Sequence, residues 1–165
     1  MATLAEGIPT LTGSCLCGSI KYQVTFPEES QWPPPSSACQ CKMCRKFTAS
    51  LIAQFLAIKI AMLTPEFSTF DTFREYESSV GVFRGFCIAC GSSLSWRSLS
   101  FPDVVDIFIG TLDEKWLTEN AYGTAKILAT PNGFQAWLRH AIADVTNRLE
   151  GGVKYLGGAT MEETL

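Results

Sequence analysis

Gly13-Ser14-Cys15-Leu16-Cys17-Gly18, Cys39-Gln40-Cys41-Lys42-Met43-Cys44 and Cys87-Ile88-Ala89-Cys90-Gly91 are the segments that decide how this chain is organised. Together they contain all seven cysteines of the 165 residues. Thiolates one to three residues apart reach a single ion more readily than they pair as disulfides, and an odd count fits a disulfide framework badly. The count divides into two pairs and a triplet. Two pairs make a closed four-sulfur site of the structural kind. A triplet leaves one position of a tetrahedral metal open, as catalytic zinc sites do.

In Cys15-x-Cys17-Gly18 and Cys87-x-x-Cys90-Gly91, a tight turn carries two thiolates, and the glycine after it lets backbone N–H groups approach the sulfurs. The two pairs therefore read as one structural zinc site joining an early strand to a later hairpin. Four sulfur donors favour zinc, and the spacings do not match those of ferredoxin clusters. Buried free thiols are the plain alternative, and four of them in two matched turns would make an unusual core.

Cys39, Cys41 and Cys44 can face one ion across a strand end and a first helical turn. His140 is the lone histidine, placed by sequence on a C-terminal helix, where a surface role is the simpler reading. Water or substrate is then left as fourth ligand, unless an Asp or Glu completes a degenerate structural site. Three thiolates make the metal a weak Lewis acid suited to a soft ligand, and a thiol that coordinates it is deprotonated. Such a sulfur can attack an electrophilic carbon such as an aldehyde carbonyl. Lys42, Arg45 and Lys46 flank the triplet and Arg84 precedes Cys87. Arg45 and Gln40 are the candidate substrate-binding residues, Arg45 as a fork for a carboxylate. The lysines read as solvated surface charges.

Composition excludes other classes. Hydrophobic residues make up 47% and charged residues 18% of the chain, the balance of a globular protein with a real core. The net charge of −3 and pI near 5.2, without a basic run, argue against a nucleic-acid surface. The N-terminus lacks the basic start and apolar stretch of a signal peptide. Gln54 and Lys59 interrupt the most apolar window, Phe47 to Leu63, which is too short to span a membrane. A cytoplasmic, reducing location is expected, with residues 1–165 forming a single zinc-binding domain.

The first two-thirds predicts strands. Ser19 to Phe26 alternates polar and apolar, and Phe67 to Phe73, Val80 to Phe86, Leu94 to Trp96 and Val104 to Ile109 are rich in β-formers. A helical turn over Lys42 to Phe47 is followed by a strand within Ala49 to Ile60. Phe134, Trp137, Leu138, Ala141, Ile142, Val145 and Leu149 follow helical spacing between Pro131 and Gly151, which predicts an amphipathic helix over about 131–149. The tail from Gly157 to Leu165 reads as frayed.

The three cysteine motifs, in order, with Ser19-Ile20-Lys21-Tyr22 after the first, Arg45 after the second, Arg84-Gly85-Phe86 before the third and Gly110-Thr111-Leu112-Asp113 beyond it, resemble the glutathione-dependent formaldehyde-activating enzymes, a family grouped with centromere protein V. The resemblance covers about residues 13–114. It implies a mainly β fold of zinc-bound antiparallel sheets, the Mss4-like β-tent. It implies two zinc ions per chain, a structural one on Cys15, Cys17, Cys87 and Cys90 and an active-site one on Cys39, Cys41 and Cys44. The implied activity is that of a carbon–sulfur lyase joining glutathione to formaldehyde. The chain departs from the family pattern at Gln40, where histidine is frequent, at Ala49, where glycine is frequent, and in its C-terminal segment. Those departures motivate a second reading, the same zinc site turned to another small metabolite. A non-catalytic zinc-stabilised binding module is the third.

Overall fold

The computed structural model describes residues 9–27 and 31–158. Its strands are, in chain order, β1 (Leu11–Ser14), β2 (Lys21–Val24), β3 (Ser36–Cys39), β4 (Ala53–Lys59), β5 (Leu63–Thr64) and β6 (Phe73–Ser79). There follow β7 (Val82–Cys87), β8 (Ser93–Ser98), β9 (Val104–Phe108), β10 (Phe134–Ala136) and β11 (Val153–Lys154). Two short helices, α1 (Lys42–Thr48) and α2 (Thr124–Ala129), interrupt them. A small antiparallel sheet has the order β1-β2-β5, and a larger one has the order β11-β10-β3-β4-β9-β8-β7-β6. This mainly β architecture is that expected of an Mss4-like β-tent.

The strands form where alternation demands them. In β2, Tyr22 and Val24 are buried while Lys21 and Gln23 face out, the period of two of a half-buried strand. In β4 and β9 both faces carry large apolar side chains. The register sets Leu56 opposite Ile107 and Phe55 opposite Phe108. Leu56 and Ile107 belong to the main core with Leu11, Ile20, Tyr22, Val24 and Leu94. Each such fully buried side chain is worth roughly 1.5–3 kcal/mol. Phe55 and Phe108 point the other way, into a second cluster with Cys39, Cys44 and Ala53. The large sheet thus separates a structural core from the face that carries the cysteine triplet.

The amphipathic helix expected over 131–149 does not form. The chain there makes β10, turns through Trp137 with φ at +62°, and forms a 3-10 turn at Leu138–His140. A second left-handed residue, Asp144 at +60°, also breaks helical continuity. Ile142 and Val145, which a helix would bury, are 40% and 61% exposed, whereas Gln135 and Thr146 are buried. The competing force is the free edge of β3. Strand β10 satisfies its backbone groups, and the Gln135 amide donates to the carbonyls of Leu149 and Gly151. That pairing, like β10 with β11, is parallel, so the large sheet is mixed where antiparallel sheets were expected.

The expected strand over Phe67 to Phe73 is also corrected. A 3-10 turn occupies Phe67–Thr69 and the strand begins at Phe73. The aromatic spacing there serves two stacked core rings, Phe67 and Phe73, with centroids 5.3 Å apart. Most of the tail expected to fray, residues 159–165, lies outside the described residues. Among the described residues no helix is long and apolar enough to cross a membrane.

Candidate metal centres and the cleft beside them

Cys15 and Cys17 sit in the turn between β1 and β2, while Cys87 ends β7 and Cys90 lies in the turn between β7 and β8. Their four sulfur atoms lie within 4.8 Å of one another although the pairs are 70 residues apart in sequence. Cys15 and Cys17 Sγ are 3.5 Å apart, and Cys17 and Cys87 Sγ are 3.9 Å apart. Sulfurs at about 2.3 Å from a tetrahedral zinc stand roughly 3.8 Å from each other, so this donor set fits zinc, and the distances are far too long for disulfides. The Ile20 N–H donates to Cys15 Sγ at 3.3 Å. Ser19 Oγ lies 3.2–3.6 Å from three of the sulfurs, and Ser92 Oγ lies 3.2 Å from Cys90 Sγ. The Ser92 contact, ahead of its backbone N–H, draws the Cys90 thiol down to about 5. Gly18 and Gly91 have φ of +74° and +76°, a conformation that requires glycine for little cost.

The Gly110-Thr111-Leu112-Asp113 motif supports this end of the molecule. Tyr22 Oη meets Thr111 Oγ1 at 2.6 Å, and Thr12 Oγ1 donates to Asp113. A Cβ on Gly13 would stand 2.5 Å from both the Thr111 carbonyl oxygen and the Tyr22 ring, so the glycine there is a requirement of packing.

The triplet is more buried. Cys39 ends β3, Cys41 caps α1 and Cys44 lies in its first turn, with all three sulfurs within 4.8 Å of one another. Among the described residues no fourth His, Cys, Asp or Glu donor joins the group, and His140 is outside it. The Cys44 N–H donates to Cys41 Sγ at 3.3 Å and the Cys41 N–H to Cys39 Sγ at 3.5 Å. Contacts with Cys39 and Cys44 hold the Cys41 thiol far below the usual thiol range, while the same cluster pushes Cys39 up. A set of three soft donors with one of them readily ionised fits a thiophilic cation.

Arg84 belongs to this centre and not to Cys87, its neighbour in sequence. Three residues along a strand reverse the side-chain direction, and the Arg84 side chain, 4% exposed, puts Nη1 3.6 Å from Cys44 Sγ. Its Nε donates to Ser78 Oγ at 3.0 Å, and its guanidinium lies 5.5 Å from the Phe47 ring centroid. The alternation that reveals this is visible in sequence only once the strand register is known.

Arg45 and Gln40 are both turned towards the C-terminal segment. Arg45 Nε donates to the Leu51 carbonyl at 3.0 Å, and its Nη2 donates to Gln40 Oε1 at 3.3 Å and to the His140 carbonyl. Gln40, 1% exposed, donates from Nε2 to the Thr146 carbonyl. Lys42 and Lys46 are exposed.

A cleft of about 640 Å³ opens where strand ends meet the C-terminus of α1. Phe47, Ala53 and Phe108 of the triplet's cluster form apolar lining, and Thr48, Ser50, Ser92, Ser93 and Thr111 add polar groups. Ser93 Oγ donates to the Phe47 carbonyl at 2.6 Å, tying the turn of the four-cysteine centre to α1. Residues of the triplet's cluster and residues next to Cys90 thus share the cleft's lining, which includes none of the cysteines, and its volume is in the size range of small-molecule sites.

A crystal structure of a Rhodobacter sphaeroides protein is similar at 18% identity over 62% of this chain and 87% of the other, with a TM-score of 0.48; likeness at that level supports no argument. Among curated proteins none matches the chain. The family model described as glutathione-dependent formaldehyde-activating enzyme matches residues 10–128, which include both cysteine centres and the cleft's lining up to Leu117. The chain belongs to that family.

Proposed function

We propose that the triplet is the reactive centre of a carbon–sulfur lyase, where a thiol adds to a small aldehyde or is released from its adduct. The observation that carries this reading is the contrast between four clustered sulfurs at one centre and three at the other. Glutathione and formaldehyde are the pair named by the family. Zinc is the metal proposed for both centres; bound at the triplet, it would supply the positive charge that keeps an incoming thiol deprotonated. In the addition, sulfur forms a bond to the carbonyl carbon, the π pair moves to oxygen, and that oxygen takes a proton from water.

The chain's own residues contribute position and charge. Arg84 offsets the negative charge of the cysteines from a buried position beside Cys44. Phe47 and Phe108 keep water from one side of the cleft. Arg45 acts as a nearby positive charge, since its Nε and Nη2 already donate to protein groups. Gln40 is proposed to shape the site through the segment it holds. A reducing compartment such as the cytoplasm suits seven free thiols.

The test is to load the reduced protein with zinc and follow exchange between labelled formaldehyde and its glutathione adduct by NMR. Acceleration above the uncatalysed rate, lost in Cys41→Ser, supports the reading. Exchange at the uncatalysed rate in the two-zinc protein rejects glutathione and formaldehyde as the pair. The same site acting on another metabolite is the second reading, favoured by the engagement of Arg45 with the protein.

A further inference from the structure

The C-terminal segment follows the family-matched residues 10–128, yet it is built into the triplet. Strand β10 runs beside β3 so that Ala136 stands opposite Cys39, and the Gln40 N–H donates to the Ala136 carbonyl at 3.1 Å. The next residue, Trp137, packs against the cluster of Cys39, Cys44, Ala53, Phe55 and Phe108. His140 stacks on its ring, with centroids 5.3 Å apart and planes 19° apart. Trp137 holds φ +62°, unusual for a bulky side chain and a form of strain found disproportionately at functional sites.

The polar tether of this segment is Gln40, the residue that departs from the family pattern inside the triplet. Thr146 Oγ1 donates to Gln40 Oε1 at 2.6 Å and also accepts the Ile142 N–H at 2.8 Å. This segment adds Phe134 and Trp137 to Phe47 of α1 and Trp96 of β8 around the cysteines. Arg45 and Arg84, the two arginines beside the cysteines, donate to protein groups. Among the described residues, His140 Nδ1 of this wall is buried without a hydrogen-bond partner.

We propose that Trp137 is a specificity-determining residue of the triplet site, selecting a thiol with an apolar or aromatic carbon skeleton over a highly charged one. Gln40 and Thr146 are the positioning residues that hold it there. This inference rests on the reading of the triplet as a thiol site and names the class of thiol it takes.

Titration calorimetry of the zinc-loaded full chain tests it with three probes: 2-mercaptoethanol, glutathione and 2-phenylethanethiol. Zinc content is measured on every variant. Phenylethanethiol is expected to bind about tenfold tighter than mercaptoethanol, the gain from burying much of one ring, and glutathione no tighter than mercaptoethanol. Trp137→Ala should bring the two simple thiols to near-equal affinity, and Trp137→Phe should keep most of the preference. Thr146→Val should weaken phenylethanethiol selectively, with Thr146→Ser restoring it; this pair carries the test if Trp137→Ala does not fold. Glutathione binding tightest, or a preference unchanged in both the folded Trp137 and Thr146 variants, overturns the proposal. If no thiol binds a protein that holds two zinc ions, the thiol-site reading itself fails and the specificity proposal falls with it.

Discussion

Gln40 and Thr146, 106 residues apart, form a closed pair: the Thr146 hydroxyl donates to Gln40 Oε1 at 2.6 Å and Gln40 Nε2 donates back to the Thr146 carbonyl at 3.0 Å. Both residues are buried, at 1% and 3% exposure. Removing the Thr146 hydroxyl takes one donor from Gln40 Oε1, which keeps Arg45 Nη2, and takes the acceptor from the Ile142 N–H. Thr146→Val should cost about 1–3 kcal/mol, with Thr146→Ser close to wild type. Denaturant unfolding of the reduced, zinc-loaded protein measures it, and a Thr146→Val loss below a few tenths of a kcal/mol would show the pair to be incidental.

The two cysteine centres should differ in what they hold together. The four-cysteine centre bridges the β1–β2 turn to the β7–β8 turn, closing a loop of about 70 residues. The triplet spans six residues that are already local, so a metal held there would remove little chain entropy. Cys87→Ser and Cys41→Ser should each reduce bound zinc from two to one per chain. Only Cys87→Ser should remove cooperative unfolding, because structural zinc contributes folding free energy directly. Equal losses of melting temperature in the two variants would contradict this difference.

Ala49 ends α1 in the left-handed region with φ +52°. A Cβ is disfavoured there, and glycine is the usual residue at such a helix end. Ala49→Gly should raise stability by about 1 kcal/mol. A decrease on thermal unfolding would show that the added chain freedom outweighs the relieved strain.

Asp106 lies on the triplet's face of the large sheet, in register with Ala57 on one side and Trp96 on the other. Burial pushes its carboxyl up to about 7. Arg84 shares that face but stands beyond Trp96, which pairs with it. The folded state therefore binds the Asp106 proton more tightly than the unfolded state. This contribution is favourable at low pH and is lost as pH rises through about 7. Between pH 6 and 8.5, Asp106→Asn should flatten the fall in stability by about 1–2 kcal/mol. Parallel pH profiles for wild type and variant would remove Asp106 from this account.

What could be read from sequence depended on how far apart the cooperating residues lie. The cysteine sets were legible because their spacing is local and their matched turns announce a shared ion. Strands β2, β7, β8 and β9 were legible because their hydrophobic residues alternate or run together. The C-terminal helix misled because Phe134, Trp137, Leu138 and Ile142 keep a helical rhythm while Phe134 and Trp137 go to the triplet's cluster and Ile142 to solvent. Gln40 stood out as a departure, but its reason, Thr146, lies in a segment whose polar residues carry no motif. Arg84 precedes Cys87 in sequence, and its place at the triplet was hidden because adjacency says nothing of which side of a strand a group leaves.

The parallel docking of β10 on β3 also has a consequence for biosynthesis. The triplet's cysteines leave the ribosome roughly a hundred residues before β10 and β11 can settle beside them. At ordinary elongation rates that delay is on the order of ten seconds. During it, the edge of β3 is bare and the three thiols lack their aromatic cover. A nascent chain would thus meet metal, oxidants and neighbouring strand edges at this centre before its last wall is in place.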